Sequence, residues 1–235
     1  LITMKNNTWG EIIHDNTVEW VASWTDNVSG KKKYVWLSDA CKFKASSDMK
    51  KFDIARKLKK KIGYIRTNIG ELIDSSEIKE SQVGTAIYLI DNLALRVGNE
   101  KGSDKADTVG VTSLRVEHIK LHGNNILVLD FLGKDSMRYY NSIRIDSAVY
   151  NNLIEFIKDK SPKDQLFDLV TSCDINESLQ NYIKDLTAKS FRTYNASHMF
   201  QHKLRKIMKK YENKKTDLTK EDIKDILKMF ERANI

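Results

Sequence analysis

The sequence predicts an α+β protein, mostly helical, in which a small β-rich element and a long basic helix precede a helical domain that carries a three-stranded antiparallel sheet. Three observations predict it. Met49, Phe52, Ala55, Leu58, Ile62, Ile65, Ile69 and Leu72 recur at steps of three and four, the period of one helix face. Strand-type runs at 114–121, 126–132 and 137–145 are separated by His122-Gly123-Asn124-Asn125 and Gly133-Lys134-Asp135-Ser136, which read as tight turns. From about 147 onward the helical period returns, with Pro162, the single proline, marking a loop.

The remaining elements follow in order. Val18 to Trp24 and Tyr34 to Leu37 are β-branched and aromatic runs around Asn27-Val28-Ser29-Gly30, a hairpin signal, with Trp20 and Trp36 expected in its core. A second helix carries Val83, Ala86, Ile87, Ile90, Leu93, Ala94 and Val97 on its buried stripe, is stopped by Gly98-Asn99, and places Arg96 in its last turn. The expected organisation is a hairpin element at 1–47, a basic connecting helix at 48–75 and a catalytic-type domain at 76–235.

Composition narrows the function. The 235 residues are 40% hydrophobic and 31% charged, with net charge +8, an ordinary globular balance. No run of about 18 apolar residues marks a membrane span and the first residues lack a signal-peptide core. Cys41 and Cys173 are too far apart for a CxxC pair, which argues against a disulfide framework and a thiolate zinc site. Between residues 31 and 66, thirteen Lys and Arg face three Asp, a net +10 that exceeds the charge of the whole chain. Such a block suits a surface that follows a polyanion, since each phosphate neutralised releases counterions. It equally suits the solvated face of one helix.

Three cations sit at places other than a plain surface: Arg96 at a helix end, Lys134 at a hairpin tip and Arg192 where a helix begins. Singly, each has an ordinary explanation: a favourable helix C-terminus for Arg96, an exposed turn for Lys134, an ion pair for Arg192. Together with their surroundings they read differently. The segments Ala86-Ile87-Tyr88-Leu89-Ile90-Asp91-Asn92-Leu93-Ala94-Leu95-Arg96-Val97-Gly98-Asn99-Glu100-Lys101, Ala106 to Gly110, Ser113 to Ile119, Asp130 to Asn141 and Leu186 to Ser197 resemble, in order, the catalytic core of eukaryotic-type DNA topoisomerase I, type IB. The resemblance reaches back through Ile13-His14-Asp15-Asn16, Ser23 to Asn27 and Arg56 to Lys60, so it covers nearly the whole chain.

The resemblance implies a tyrosine-recombinase/topoisomerase IB-like fold and a single-strand nicking and closing enzyme that works through a 3′-phosphotyrosine, lets one strand rotate and reseals without ATP or an obligatory metal. It implies that Arg96 and Arg192 hold the non-bridging oxygens of the scissile phosphate and that Lys134 is the general acid for the leaving 5′ oxygen. These residue types suit that work: guanidinium forks bind such oxygens bidentately and stay charged, and a lysine can give up a proton. By the same resemblance Trp24, Lys33, Tyr34, Lys44, Lys51, Lys101, Thr108 and Lys189 contact the DNA backbone, and Asp135 lies at the edge of the cleavage site where camptothecin-type poisons lodge. Duplex DNA as partner, a monomer, nuclear location and roles in replication and transcription are implied too.

The family's further histidine, after an Arg-Ala-Asn segment, and its tyrosine nucleophile have no counterpart here: the chain stops at Arg232-Ala233-Asn234-Ile235, and none of nine tyrosines has the nucleophile's context. A fragment is therefore expected, one that binds DNA without relaxing it. The rivals are a tyrosine recombinase catalytic domain and a non-catalytic basic DNA-binding module. His198 and His202, one helical turn apart, lack the intervening Glu and third ligand of a metal site and are expected at the surface.

Overall fold

A computed structural model describes residues 10–15, 18, 20–38, 41–98, 109–212 and 218–234. The chain divides into two compact units, residues 1–50 and 51–235.

In the first unit β1 (Trp20–Thr25) and β2 (Lys32–Trp36) form an antiparallel hairpin. Its turn is closed by the Gly30 N–H donating to Asp26 O at 2.8 Å and by Ser29 donating to the Asp26 carboxylate, which lowers the Asp26 pKa from its ordinary value. Register pairs Trp24 with Lys33 and Ser23 with Tyr34, so the first pair projects from one face and Tyr34 from the other. A bulge between Trp20 and Ala22 brings Trp20 to the Tyr34 side, where Trp20, Tyr34 and Trp36 form a row with centroids 5.7 and 6.3 Å apart. Trp36 is 57% exposed, so the row is a surface feature and not the hairpin core that the sequence suggests.

The helix α1 (Lys42–Ile73) contains the unit boundary. In the second unit its stripe Ala55, Leu58, Ile65, Ile69 and Ile73 is buried, as the period requires, while Phe52 is exposed. Helix α2 (Ile78–Leu93) is buried on nearly every side, the condition of a helix at the centre of a core. Around it lie α3 (Ser147–Ile157), α4 (Ser172–Gln180) and α5 (Ala188–Lys210), and α6 (Lys220–Asn234) lies against α5 through Phe200 and Phe230. Asp146 caps α3 by accepting the Ala148 N–H, and Thr171 with Asp174 makes a capping box on α4. Gln82, buried in this core, is satisfied: it donates to Asp168 at 2.8 Å and accepts from the Leu169 N–H at 3.1 Å.

The sheet is β3 (Ile119–His122), β4 (Ile126–Leu132) and β5 (Arg138–Arg144) in that spatial order, all antiparallel. Leu127, Leu129 and Phe131 of β4 point into the core, with Val128 and Asp130 on the opposite face. The first strand is shorter than its sequence pattern, because Val111–Ser113 and Val116–His118 form 3-10 turns that bury Leu114 and His118 without pairing as strand. No helix among the described residues is long and apolar enough to cross a membrane.

Two glycines let the chain cross itself next to the end of α2. Gly98 has φ +88, and a Cβ on Gly110 would lie 2.4 Å from the Gly98 Cα and N. Neither backbone can yield without breaking the bonds that hold it. Gly110→Ala should therefore lower stability by about 3 kcal/mol, the upper range for overpacking. Gly63→Ala, in open space on α1, should raise it by about 0.5–1 kcal/mol. Urea unfolding of the two variants checks both signs.

Candidate active site

Helix α2 ends earlier than its apolar pattern suggests. Ala94 takes the left-handed conformation at φ 52, and the chain leaves the helix there instead of at Gly98-Asn99. Arg96 is thus not in a last helical turn but in an extended segment beyond it. Long-range pairing fixes that segment: Arg96 O accepts the Val111 N–H at 2.8 Å and Val97 O accepts the Thr112 N–H at 2.7 Å. The same strap reaches the hairpin of Lys134, since the Val109 N–H donates to Leu132 O at 2.8 Å. Arg96 and the Lys134 turn are therefore tied to one short run of backbone.

Lys134 opens a 3-10 turn, Lys134–Ser136, in which Asp135 and Ser136 lie at φ 61 and 57. Two successive non-glycine residues in this region each carry a conformational cost of about 1–2 kcal/mol. The turn is closed by the Gly133 N–H donating to Met137 O at 2.8 Å. The Lys134 side chain is 59% exposed, with its Nζ 3.7 Å from the Asp135 carboxylate, a weak surface pair.

Arg192 occupies the second turn of α5 between buried Phe191 and buried Tyr194. Its Nε is buried and has no hydrogen-bond partner among the described residues. Burial first, and then the charge of Arg96, push the Arg192 guanidinium below its ordinary value. The charge of Arg96 thus acts on a guanidinium whose buried Nε is unmet among the described residues.

A carboxylate outside the sequence-derived set arranges these groups. Asp91, four per cent exposed in the last turn of α2, takes a bidentate fork from Arg66 of α1, Nε to Oδ2 at 2.7 Å and Nη2 to Oδ1 at 3.2 Å. Asn195 of α5 donates its amide to the Asp91 carbonyl at 2.6 Å and to Oδ1 at 3.1 Å. Arg66 is held above its ordinary value, chiefly by the hydrogen bond to Asp91. Three helices thus meet at Asp91, five residues before Arg96, and its partner Asn195 is three residues after Arg192. Its signal in the sequence is a lone acid in the apolar run Ala86-Ile87-Tyr88-Leu89-Ile90-Asp91.

The other expected residues are distributed as follows. Lys189 is exposed in the first turn of α5 and Asp135 is exposed on the Lys134 turn. Lys51 lies over the Phe52 ring at 4.9 Å, and Lys44 is half-buried in the first turn of α1. Trp24 and Lys33 share a hairpin face that Tyr34 does not. Lys101 and Thr108 lie outside the described residues. His198 is exposed on α5 beside the Tyr194 ring, and His202 is exposed one turn on. No group of three or more His, Cys, Asp or Glu that could hold a metal occurs among the described residues.

Fold and site define a class first: a mostly helical domain with a three-stranded antiparallel sheet, in which a half-buried arginine, Arg192, feels the charge of Arg96. Residues 40–235 match the family model of the eukaryotic DNA topoisomerase I catalytic core, and residues 2–37 match that of its DNA-binding fragment. DNA topoisomerase 1 of Candidozyma auris is 49% identical over 201 residues, 85% of this chain and 27% of that protein. The proteins of that name from Drosophila melanogaster and Homo sapiens are 47% identical over 201 residues and 46% over 211, covering 83% and 87% of this chain and 21% and 28% of their own lengths. The chain belongs to the eukaryotic DNA topoisomerase I family, and it spans about a quarter of the length of these relatives.

Arg66→Met should strand the Asp91 carboxylate and lower stability by about 2–3 kcal/mol, less than for a fully buried pair because Arg66 is half-exposed. Asp91→Asn, which keeps an acceptor and leaves the arginine free to reach water, should cost less. Denaturant midpoints at neutral pH rank the two, and the reverse order would remove the carboxylate from its organising place.

Proposed function

We propose that this chain is the phosphate-holding part of a type IB DNA topoisomerase. In that reaction a tyrosine oxygen attacks phosphorus, the bond from phosphorus to the 5′ oxygen breaks, and the 3′-phosphotyrosine keeps the bond energy that later reseals the strand. No ATP is needed for that exchange. Arg96 and Arg192 hold the two non-bridging oxygens as charge builds on them, and Lys134 passes its proton to the departing 5′ oxygen. The guanidinium pair supplies the charge that a divalent metal supplies in other phosphoryl-transfer enzymes. The observation that carries the reading is the buried, unpartnered Nε of Arg192 beside the charge of Arg96, within a chain of this family.

Around this centre, Trp24, Lys33, Tyr34, Lys44, Lys51, Lys101, Thr108 and Lys189 are proposed backbone contacts, and Asp135 the residue at the edge of the cleavage site. None of the nine tyrosines has the nucleophile's context, so these 235 residues by themselves are proposed to bind duplex DNA without relaxing it. The enzyme acts as a monomer in the nucleus, in the service of replication and transcription. The rat relative, 45% identical over 203 residues, is named as mitochondrial, so compartment is read separately from chemistry.

The strained, exposed turn of Lys134 gives the sharpest test. In a longer protein that includes the tyrosine, Lys134→Ala should cleave a normal 5′-oxygen substrate several orders of magnitude more slowly. A 5′-bridging phosphorothiolate, whose thiolate leaves without a proton, should restore much of that rate. Arg96→Ala and Arg192→Ala should lose as much with only modest loss of DNA affinity, and should gain little from the sulfur, because their contacts strengthen in the transition state. Equal rescue of all three variants, or of none, would take Lys134 out of the acid role.

A further inference from the structure

Helix α5 carries seven Lys and Arg and no Asp or Glu over its 23 residues. At about 100° per residue, Lys203 and Lys206 lie within about 40° of the direction of Arg192, while Lys209 stands about 100° and Arg205 about 140° from it. Arg205, Lys206 and Lys209 are exposed and Lys203 is half-buried. Lys210 is set apart by its bond to Asp225 at 2.9 Å. The helix C-terminus accounts for Lys209 and Lys210, whose charge favours the last turn. It does not account for Lys203, Arg205 and Lys206, which stand a turn or more earlier.

We propose that this exposed basic side of α5 is a second track for duplex DNA, continuous with the phosphate site at Arg192 and separate from the basic block at 31–66. From Arg192 to Lys209 the helix rises about 26 Å, the length of about seven phosphate steps along one strand. Four of these cations, Lys203, Arg205, Lys206 and Lys209, fall within about the last 9 Å of that rise with no carboxylate on α5 among them, and such a cluster complements a backbone that presents a charge at every step. Its contacts position the duplex and carry no base specificity. The inference rests on Arg192 being a phosphate ligand, and it assigns a footprint beyond that phosphate.

The test is the salt dependence of binding to a duplex of about 25 base pairs by the 235-residue chain. Arg205→Gln/Lys206→Gln/Lys209→Gln should lower the slope of log K against log salt by about 2–3, at roughly 0.9 per phosphate contact. Lys158→Gln/Lys163→Gln/Lys184→Gln, which removes the same charge from exposed positions elsewhere, should lower it by less than about 1. Both variants should melt as the parent does. Should the triple variant unfold, Lys206→Gln alone should lower the slope by about 0.9. Equal slopes for the two triple variants would overturn the α5 track while leaving DNA binding intact. An unchanged DNA slope with lost binding to polyglutamate would assign the side to an acidic protein and overturn it as well. Salt-independent binding by the parent chain would instead defeat the phosphate-holding reading, and this inference with it.

Discussion

The Asp91 carboxylate is the constraint on which the site depends. Few residue types are less expected inside an apolar helix, and an uncompensated carboxylate there would cost several kcal/mol. The Arg66 fork and the Asn195 amide satisfy it, and the requirement to satisfy it fixes α1, α2 and α5 relative to one another. Apolar packing of Leu58, Ile65, Ile87, Ile90 and Phe191 supplies most of the burial, but apolar faces slide with little penalty. A bidentate pair and a 2.6 Å amide bond do not. Arg192 lies on α5 three residues before Asn195, and Arg96 follows Asp91 by five residues in the segment that Val111 and Thr112 hold, so the backbone that carries each arginine adjoins this junction.

That arrangement works against local stability. Two like charges are held near each other, one of them partly desolvated and with a donor unmet; Asp135 and Ser136 sit in left-handed backbone next to Lys134; Gly98 and Gly110 meet at a distance no side chain permits. Each is unfavourable by itself, and each is held by strong bonds on either side. Strain gathered around three cations, among described residues whose other buried side-chain polar atoms have partners, suits the proposed role of holding an anion.

Much of this was legible in the sequence. The period of α1, the three-stranded meander and the helical second half appear as the residues imply, because their apolar patterns match elements that bury one face. Arg96 was misplaced for a physical reason: Leu95 and Val97 continue the apolar stripe of α2, but they enter the core from extended backbone held by Val111 and Thr112, a pairing that no local pattern reveals. Leu114 to His118 read as strand because 3-10 turns bury some of the same residues. Trp20 and Trp36 suggest a hairpin core, whereas the bulge at Trp20 puts both in a row with Tyr34 in which Trp36 is exposed. The charge of α5 is hidden in the composition because the chain outside 31–66 nets −2, an average of this helix with acidic segments. Asp91, Arg66 and Asn195 could not be joined from sequence, since their link is entirely tertiary.

The account's central claim is that the Asp91 junction holds Arg96 and Arg192 ready for one tetrahedral oxyanion. The most direct measurement is a crystal structure of the chain grown with tungstate, a dense phosphate-like anion. The account predicts the anion bonded to Arg192 Nε and to the Arg96 guanidinium, with the bonds from Arg66 and Asn195 to Asp91 unchanged. An empty pair, with Arg192 Nε satisfied by a protein carbonyl and the tungstate bound elsewhere, would contradict it.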